Sequence, residues 1–235
     1  MPIRALNPCN LRIAMPHYLP NTSNPRQGGE VPDKNIILLQ NKKATWSAVY
    51  KAMDDIMERC SAGDMVYFYF SGHGDIENKR VYKNGFLICH NTPRTNYINS
   101  SLRIEDLNEF ANTLSLNKKV RVVLITDACH SGRLAGSSMG GSALIAQQLR
   151  TVIRNEVRLT SCLPNEVSFE DKSWGGGRSI FSYYLLYGLK GLADADKDKK
   201  VSVVDLQSYL QKSFSKGMPV KKISSQCHDA FMLPF

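Results

Sequence analysis

The feature that most constrains this chain is a run of β-branched and aliphatic residues that ends abruptly in polar, reactive ones. Residues 120–125 read V-R-V-V-L-I, a pattern typical of a strand buried on both faces of a parallel sheet. Residues 126–132 follow as T-D-A-C-H-S-G, whose final Ser-Gly indicates a turn. We therefore expect a strand that stops at Thr126 and places the thiol of Cys129 at the carboxyl edge of the sheet, where open α/β folds keep their sites.

A second strand is predicted over residues 65–70, and the sequence S-G-H-G follows it directly. Parallel neighbouring strands bring their carboxyl ends to one edge, so we expect His73 and Cys129 to lie together there. A thiol needs such a partner, because a pKa of about 8.5 leaves little thiolate at neutral pH. His130 is less well placed, since successive side chains of an extended segment point to opposite faces. His73 is therefore the candidate general base for Cys129.

The two motifs together resemble those of the caspase-like cysteine peptidases of clan CD, in particular the bacterial and metacaspase branch. The caspase signature is Q-A-C-[RQG]-G with a histidine about 50 residues upstream. Here the cysteine motif is D-A-C-H-S-G, and His73 lies 56 residues before Cys129. The resemblance extends from about Asn35 to the C-terminus. It implies a caspase-like three-layer α/β sandwich with a mostly parallel central sheet.

The resemblance also implies roles for individual residues. Cys129 would be the nucleophile and His73 the general base and later the general acid, while the amides of Gly74 and Cys129 would form the oxyanion hole. Asp127 stands where caspases carry Gln. In metacaspases and related branches this acid belongs to the pocket for the side chain that precedes the cut, and a carboxylate there favours Arg or Lys and rejects Asp. The chain is therefore interpreted as a cysteine endopeptidase acting on proteins or peptides after Arg or Lys.

Alternatives stay open for each of these residues. Cys129 as an inert buried thiol and His73 as a satisfied core residue would make the chain a non-catalytic caspase-like interaction module. For Asp127 the alternative is a structural carboxylate bonded to loop amides, and Asp75 would in that case be the next candidate for the acidic pocket. Zinc binding by Asp127, Cys129 and His130 is disfavoured, because the sequence has no Cys-x-x-Cys pair or second ligand cluster.

The first 35 residues differ from the rest. Six of the ten prolines fall within the first 32 positions. Proline removes a ladder donor and restricts its neighbour, so neither a central strand nor a long helix is expected in this segment. We expect residues 1–35 to be irregular and to lack the opening core strand of the relatives, and residues 36–235 to form the peptidase domain.

Strands and helices alternate after residue 35, which favours an α/β domain. Thr45 is the predicted N-cap of an amphipathic helix that ends before Gly63. Asn84-Gly85 predicts a hairpin between residues 81–82 and 86–89. Further predicted elements are strands at residues 36–39 and 157–161 and helices at residues 104–114 and 203–214.

Composition restricts the partners and the compartment. The formal net charge is +9, but the basic residues form only short clusters without an aromatic-interleaved stripe, so nucleic acid is not an expected partner. No run approaches the 18 apolar residues of a membrane span. The six cysteines have no framework spacing, which favours a reduced cytoplasm. The sequence does not indicate an oligomeric state.

A weak calcium-binding pattern lies near the C-terminus. Its acidic residues have EF-hand spacing, but Lys199 replaces the turn glycine and the last acid is Asp rather than the usual bidentate Glu. We therefore favour a solvated loop, and no cofactor is expected to be required. The candidate ligands are Asp194, Asp196, Asp198 and Asp205.

Overall fold

The structure, a computed structural model, describes nine stretches of the chain. These are residues 10–14, 33–76, 84–93, 96–130, 156–161, 170–171, 178–198, 200–217 and 231–232.

Within these stretches, eight strands form one mixed sheet and two short strands form a separate antiparallel pair. The strands of the sheet are β1 (Asn10–Ala14), β2 (Ile36–Gln40), β3 (Met65–Ile76), β4 (Gly85–Leu87), β5 (Leu102–Arg103), β6 (Arg121–His130), β7 (Glu156–Thr160) and β10 (Phe231–Met232). The separate pair is β8 (Glu170–Asp171) and β9 (Arg178–Ser179). The helices are α1 (Trp46–Arg59), α2 (Ile104–Asn112), α3 (Ile180–Tyr187) and α4 (Val203–Gly217). Helices α2 and α3 continue as π-helical turns over Thr113–Asn117 and Gly188–Leu192.

The order of strands along the sheet is β10-β7-β6-β3-β1-β2, and β4 and β5 continue the sheet from the far end of β3. Strand β6 is parallel to β3 and to β7. Strand β1 is antiparallel to both β2 and β3, so β2 and β3 run in the same direction. Strands β2, β3, β6 and β7 therefore share one direction, as the predicted caspase-like α/β class requires, while β1 and β10 run the other way.

The prediction that the opening strand is absent is wrong. Strand β1 lies inside the sheet, where Ile13 is opposite Ile37 on one side and Phe68 on the other. The prolines bracket this strand and do not interrupt it, because residues 9–15 contain none. A five-residue strand fits between Pro8 and Pro16 without losing a ladder donor.

The sheet separates two hydrophobic cores, which makes the domain a three-layer sandwich. On one face, Phe68 and Leu124 pack with the buried residues of α1 and α2. On the other face, Ile125 packs with α3 and α4, joined by the partly buried Tyr69. Because side chains alternate along a strand, the odd-numbered positions of β3 and β6 lie on the α3/α4 face.

The helices begin where capping residues allow them to. The Thr45 side chain accepts a hydrogen bond of 3.3 Å from the Ala48 amide, which confirms the predicted N-cap of α1. The helix ends at Arg59, and Gly63 supplies the left-handed turn, with φ of 90°, that returns the chain to the sheet. The buried side of α1, including Val49 and Ile56, follows the predicted helical spacing.

Strands β3 and β6 both run past their predicted ends at Phe70 and Thr126. The extension of β3 gains a partner because β4 pairs antiparallel with its last three residues, Gly74–Ile76. Strand β4 therefore pairs with the end of β3, and residues 81–82, the first arm of the predicted hairpin, lie outside the described residues. As a result, residues 71–74 lie within β3 and residues 127–130 within β6, where the two strands pair with each other.

Candidate active site

His73 and Cys129 are neighbours in the sheet. They are opposite each other in the parallel register of β3 and β6, in strands that are about 4.8 Å apart. Both are odd-numbered positions, so both lie on the α3/α4 face. The predicted meeting of these two residues at one part of the sheet is therefore seen in the backbone, inside the strands rather than after them.

The imidazole of His73 is left without a hydrogen-bond partner. Both ring nitrogens are buried, and neither bonds to any part of the chain that the structure describes. Burial lowers the pKa of this side chain, because a cation in this position would lose its hydration. A neutral imidazole with an unoccupied nitrogen is suited to accept a proton from a neighbouring thiol.

The Gly74 amide points towards the strand of Cys129. The carbonyl of His73 accepts a hydrogen bond of 2.8 Å from the Ile88 amide, so the backbone groups of His73 face the β4 side. Those of the next residue face the opposite side, which is β6. Strands β3 and β6 still pair at this level, with Gly74 opposite His130. The amide therefore becomes available to a substrate oxygen only where that pairing opens.

Asp127 is a buried carboxylate held by helix α3. It is 3% exposed, and its Oδ2 accepts hydrogen bonds from the hydroxyls of Ser179 and Ser182. Burial raises the pKa of Asp127, and the hydroxyls of Ser179, Ser182 and Ser161 oppose that rise. Its other oxygen, Oδ1, accepts no hydrogen bond from the described residues.

The two serines belong to the start of α3, and our sequence reasoning did not find them. Ser179 is the N-cap of α3 and accepts a hydrogen bond of 3.0 Å from the Ser182 amide. The Ser182 hydroxyl also lies 2.7 Å from the Tyr69 hydroxyl. Serine is a favoured N-cap residue, so the helix boundary was predictable from the sequence. Its position beside Asp127 was not.

Asp75 has both of its oxygens engaged. The side chain is fully buried. It accepts a hydrogen bond of 2.8 Å from the Ile76 amide and one of 2.9 Å from the Tyr97 hydroxyl. This carboxylate ties the loop that carries Tyr97 to the end of β3. It lies on the same face as His73, two positions further along the strand.

Three of the four predicted calcium ligands lie close together in the structure. Asp194, Asp196 and Asp198 place carboxylate oxygens within 4.8 Å of one another. Asp205 instead belongs to the capped start of α4. Its carboxylate accepts a hydrogen bond of 2.9 Å from the Ser202 amide and one of 2.5 Å from the Ser202 hydroxyl. These bonds also lower the pKa of Asp205. Among the described residues, Asp205 is therefore not a member of the three-carboxylate group.

On this three-layer α/β sandwich, the register places a cysteine position opposite a histidine whose ring nitrogens bond to no described residue, an arrangement suited to nucleophilic catalysis by a thiol. The model of the caspase-domain family, peptidase family C14, matches residues 35–230. The chain therefore belongs to the caspase family of cysteine peptidases. This confirms the family inferred from the two motifs.

A solved structure can be aligned with part of the chain. It is the crystal structure of a protein from Geobacter sulfurreducens, which is 17% identical, with a TM-score of 0.48, over 76% of this chain and 71% of that one. No curated protein matches the chain. Within the stretches that the structure describes, no helix is long and apolar enough to cross a membrane.

Proposed function

We propose that the chain is an endopeptidase that cleaves after Arg or Lys, with Cys129 as nucleophile and His73 as general base. The observation that carries this proposal is the register of β3 and β6, which makes the two positions neighbours on one face. The ring nitrogens of His73, which bond to no residue that the structure describes, support it. A histidine kept in the core for stability would be expected to use its hydrogen-bonding groups.

The proposed reaction has two halves. His73 takes the proton of the Cys129 thiol, and the thiolate attacks the peptide carbonyl to form a carbon–sulfur bond. The amides of Gly74 and Cys129 would stabilise the oxyanion, each typically contributing about 2.7–4 kcal/mol. His73 then protonates the leaving amine as the C–N bond breaks. A water, deprotonated by His73, attacks the thioester and releases the carboxylic acid and Cys129. These steps need no cofactor.

The preference for a basic side chain is supported by Asp127. Asp127 lies two positions before Cys129 on the same face of β6. Its carboxylate is buried, and one oxygen accepts no hydrogen bond from the described residues. A buried anion with unused acceptor capacity is stabilised by a cation brought to it. Asp75 is a weaker candidate, because both of its oxygens already accept hydrogen bonds.

Thiol labelling together with peptide cleavage tests the dyad. Burial raises the pKa values of Cys60 and Cys89 to about 11, so a basic acyloxymethyl-ketone at pH 7 should label Cys129 and spare both. We expect Cys129→Ala and His73→Ala to abolish cleavage with the fold intact, and Cys89→Ala to remain active. Full activity in either dyad variant contradicts the mechanism. A folded parent that is neither labelled nor active supports the interaction module instead.

Replacement of Asp127 tests the specificity. Asp127→Asn should cost on the order of 2–5 kcal/mol in binding a basic side chain, so cleavage after Arg or Lys should fall far more than cleavage after a neutral residue. Alkylation of Cys129 should stay near its original rate, since the dyad is unchanged. Asp75→Asn is the matched control and should keep the basic preference. The reverse result would assign the acidic pocket to Asp75.

A further inference from the structure

The two oxygens of Asp127 are not equivalent. Oδ2 accepts hydrogen bonds from two hydroxyls, those of Ser179 and Ser182, and a carboxylate oxygen has about two lone-pair sites. Oδ1 is equally buried but accepts no hydrogen bond from the described residues. A cation that approaches this carboxylate therefore finds one oxygen already occupied and one available.

The hydroxyl donors on Oδ2 are fixed by further bonds. The oxygen of Ser179 accepts the Ser182 amide at the N-terminus of α3, which leaves its hydroxyl hydrogen for Asp127. Since the Ser182 hydroxyl also donates to Asp127, its bond with Tyr69 must run from the tyrosine hydroxyl to the serine oxygen. A chain of donors, Tyr69 to Ser182 to Asp127, thus holds Oδ2 in place.

We infer that Asp127 binds the basic side chain of the substrate through Oδ1 alone, so that the enzyme uses lysine about as well as arginine. This inference rests on the proposed function. The advantage of a guanidinium over an ammonium at a carboxylate is its planar fork, which makes two parallel hydrogen bonds to the two oxygens. With Oδ2 occupied, that second bond is not available. An ammonium group needs only one acceptor oxygen.

A matched pair of fluorogenic peptides, identical except for Arg or Lys before the cut, measures the inference. We expect the ratio of kcat/KM for Arg to that for Lys to lie within about threefold of one in the parent. Ser182→Ala frees a lone pair of Oδ2, and this ratio should then rise by about tenfold, the effect of one further charge-assisted hydrogen bond. Ser115→Ala is the control, because the Ser115 hydroxyl donates to Glu156 and not to Asp127, and it should leave the ratio unchanged.

The outcomes separate this inference from the proposed function. A parent that prefers Arg by more than about tenfold, or a folded Ser182→Ala variant with an unchanged ratio, overturns the single-oxygen inference and leaves the basic specificity standing. A parent that cleaves after neutral residues as well as after basic ones overturns both. If Ser182→Ala does not fold, Ser179→Gly gives the same test, since glycine is tolerated as an N-cap.

Discussion

At the scale of single residues, the partly buried His73 determines how the site should respond to pH. Its pKa is lowered by burial, so the neutral, proton-accepting form persists to lower pH than in a free histidine. We expect an NMR titration of His73 in the Cys129→Ala variant to give a midpoint below about 6.5, the value of an unperturbed histidine. A midpoint above that value would show that a nearby anion outweighs burial.

At the same scale, a buried ion pair on β7 is bonded to helix α2. Glu156 and Arg158, 1% and 2% exposed, pair at 2.9 Å. Ser115 donates to the other oxygen of Glu156 at 3.1 Å, and Arg158 donates to Asn108 at 2.5 Å. Burial lowers the pKa of Arg158, and Glu156 opposes the shift. Both charged groups have hydrogen-bond partners, so removing one of the charges should cost folding stability.

Glu156→Gln should therefore destabilise the fold by about 3–5 kcal/mol, because it leaves the Arg158 cation buried without a counter-charge. The control is Glu105→Gln, which breaks the exposed pair between Glu105 and Arg103, where the side chains are 44% and 38% exposed. That change should cost less than about 1 kcal/mol. Urea unfolding of the two variants measures both, and equal losses would contradict the expectation.

The residues that sequence reasoning found differ from those it missed in how far their contacts reach. His73 and Cys129 were predicted because strand direction alone brings them to one part of the sheet. Ser179 and Ser182 bond to a carboxylate 52 and 55 residues earlier in the chain, and that contact depends on how α3 packs against the sheet. Asp127 was considered as a carboxylate bonded to loop amides, whereas the structure shows serine hydroxyls.

At the scale of elements, α3 and α4 approach closely at Gly188. A Cβ at this position would lie 2.8 Å from Cδ1 of Leu206 and 3.0 Å from Cδ1 of Tyr209. Its backbone is helical, with φ of −57° and ψ of −50°, so the requirement for glycine is one of space. The contact sets the position of the α3 and α4 pair that also carries the serines beside Asp127.

Gly188→Ala should cost about 1–2 kcal/mol of stability, because crowding against Leu206 outweighs the gain in helix propensity. Leu189→Ala, the neighbouring change at a side chain that is 51% exposed, should shift stability by less than about 0.5 kcal/mol. Thermal unfolding distinguishes them. A Gly188→Ala variant as stable as the parent would show that Leu206 moves aside without cost.

Element boundaries were the least predictable part of the sheet. Apolar runs fixed where β3 and β6 begin, but each continues until its partners end, and β4 supplies a partner as far as Ile76. Pairing of this kind depends on residues distant in sequence and leaves no local apolar signal. The capped start of α1 was predictable, because Thr45 and its bond to the Ala48 amide lie within four residues of each other.

At the scale of the whole molecule, the interior position of β1 should make it less tolerant of proline than the neighbouring strand β2. Both edges of β1 pair, with β2 and with β3, whereas β2 is at the end of the sheet among the described strands. Proline at 11, 12 or 13 should therefore each remove a ladder bond and cost at least about 1–3 kcal/mol.

The control is the same substitution at 37, 38 and 39 in β2. The amides of an edge strand point alternately to its neighbour and away from it, so every second position should tolerate proline. Chemical unfolding of the six variants measures the loss of stability at each position. Alternating tolerance in β1 as well would show that one of its edges is not paired.

The place of β1 also bears on the order in which a nascent chain can fold. Its partner β2 becomes available once residue 40 has been made, but the second partner does not exist until residue 71, which pairs with Asn10. Strand β1 must therefore wait, with one edge open, for a strand synthesised much later. Slow translation between these two points would lengthen the time in which that edge can meet a chaperone or another chain.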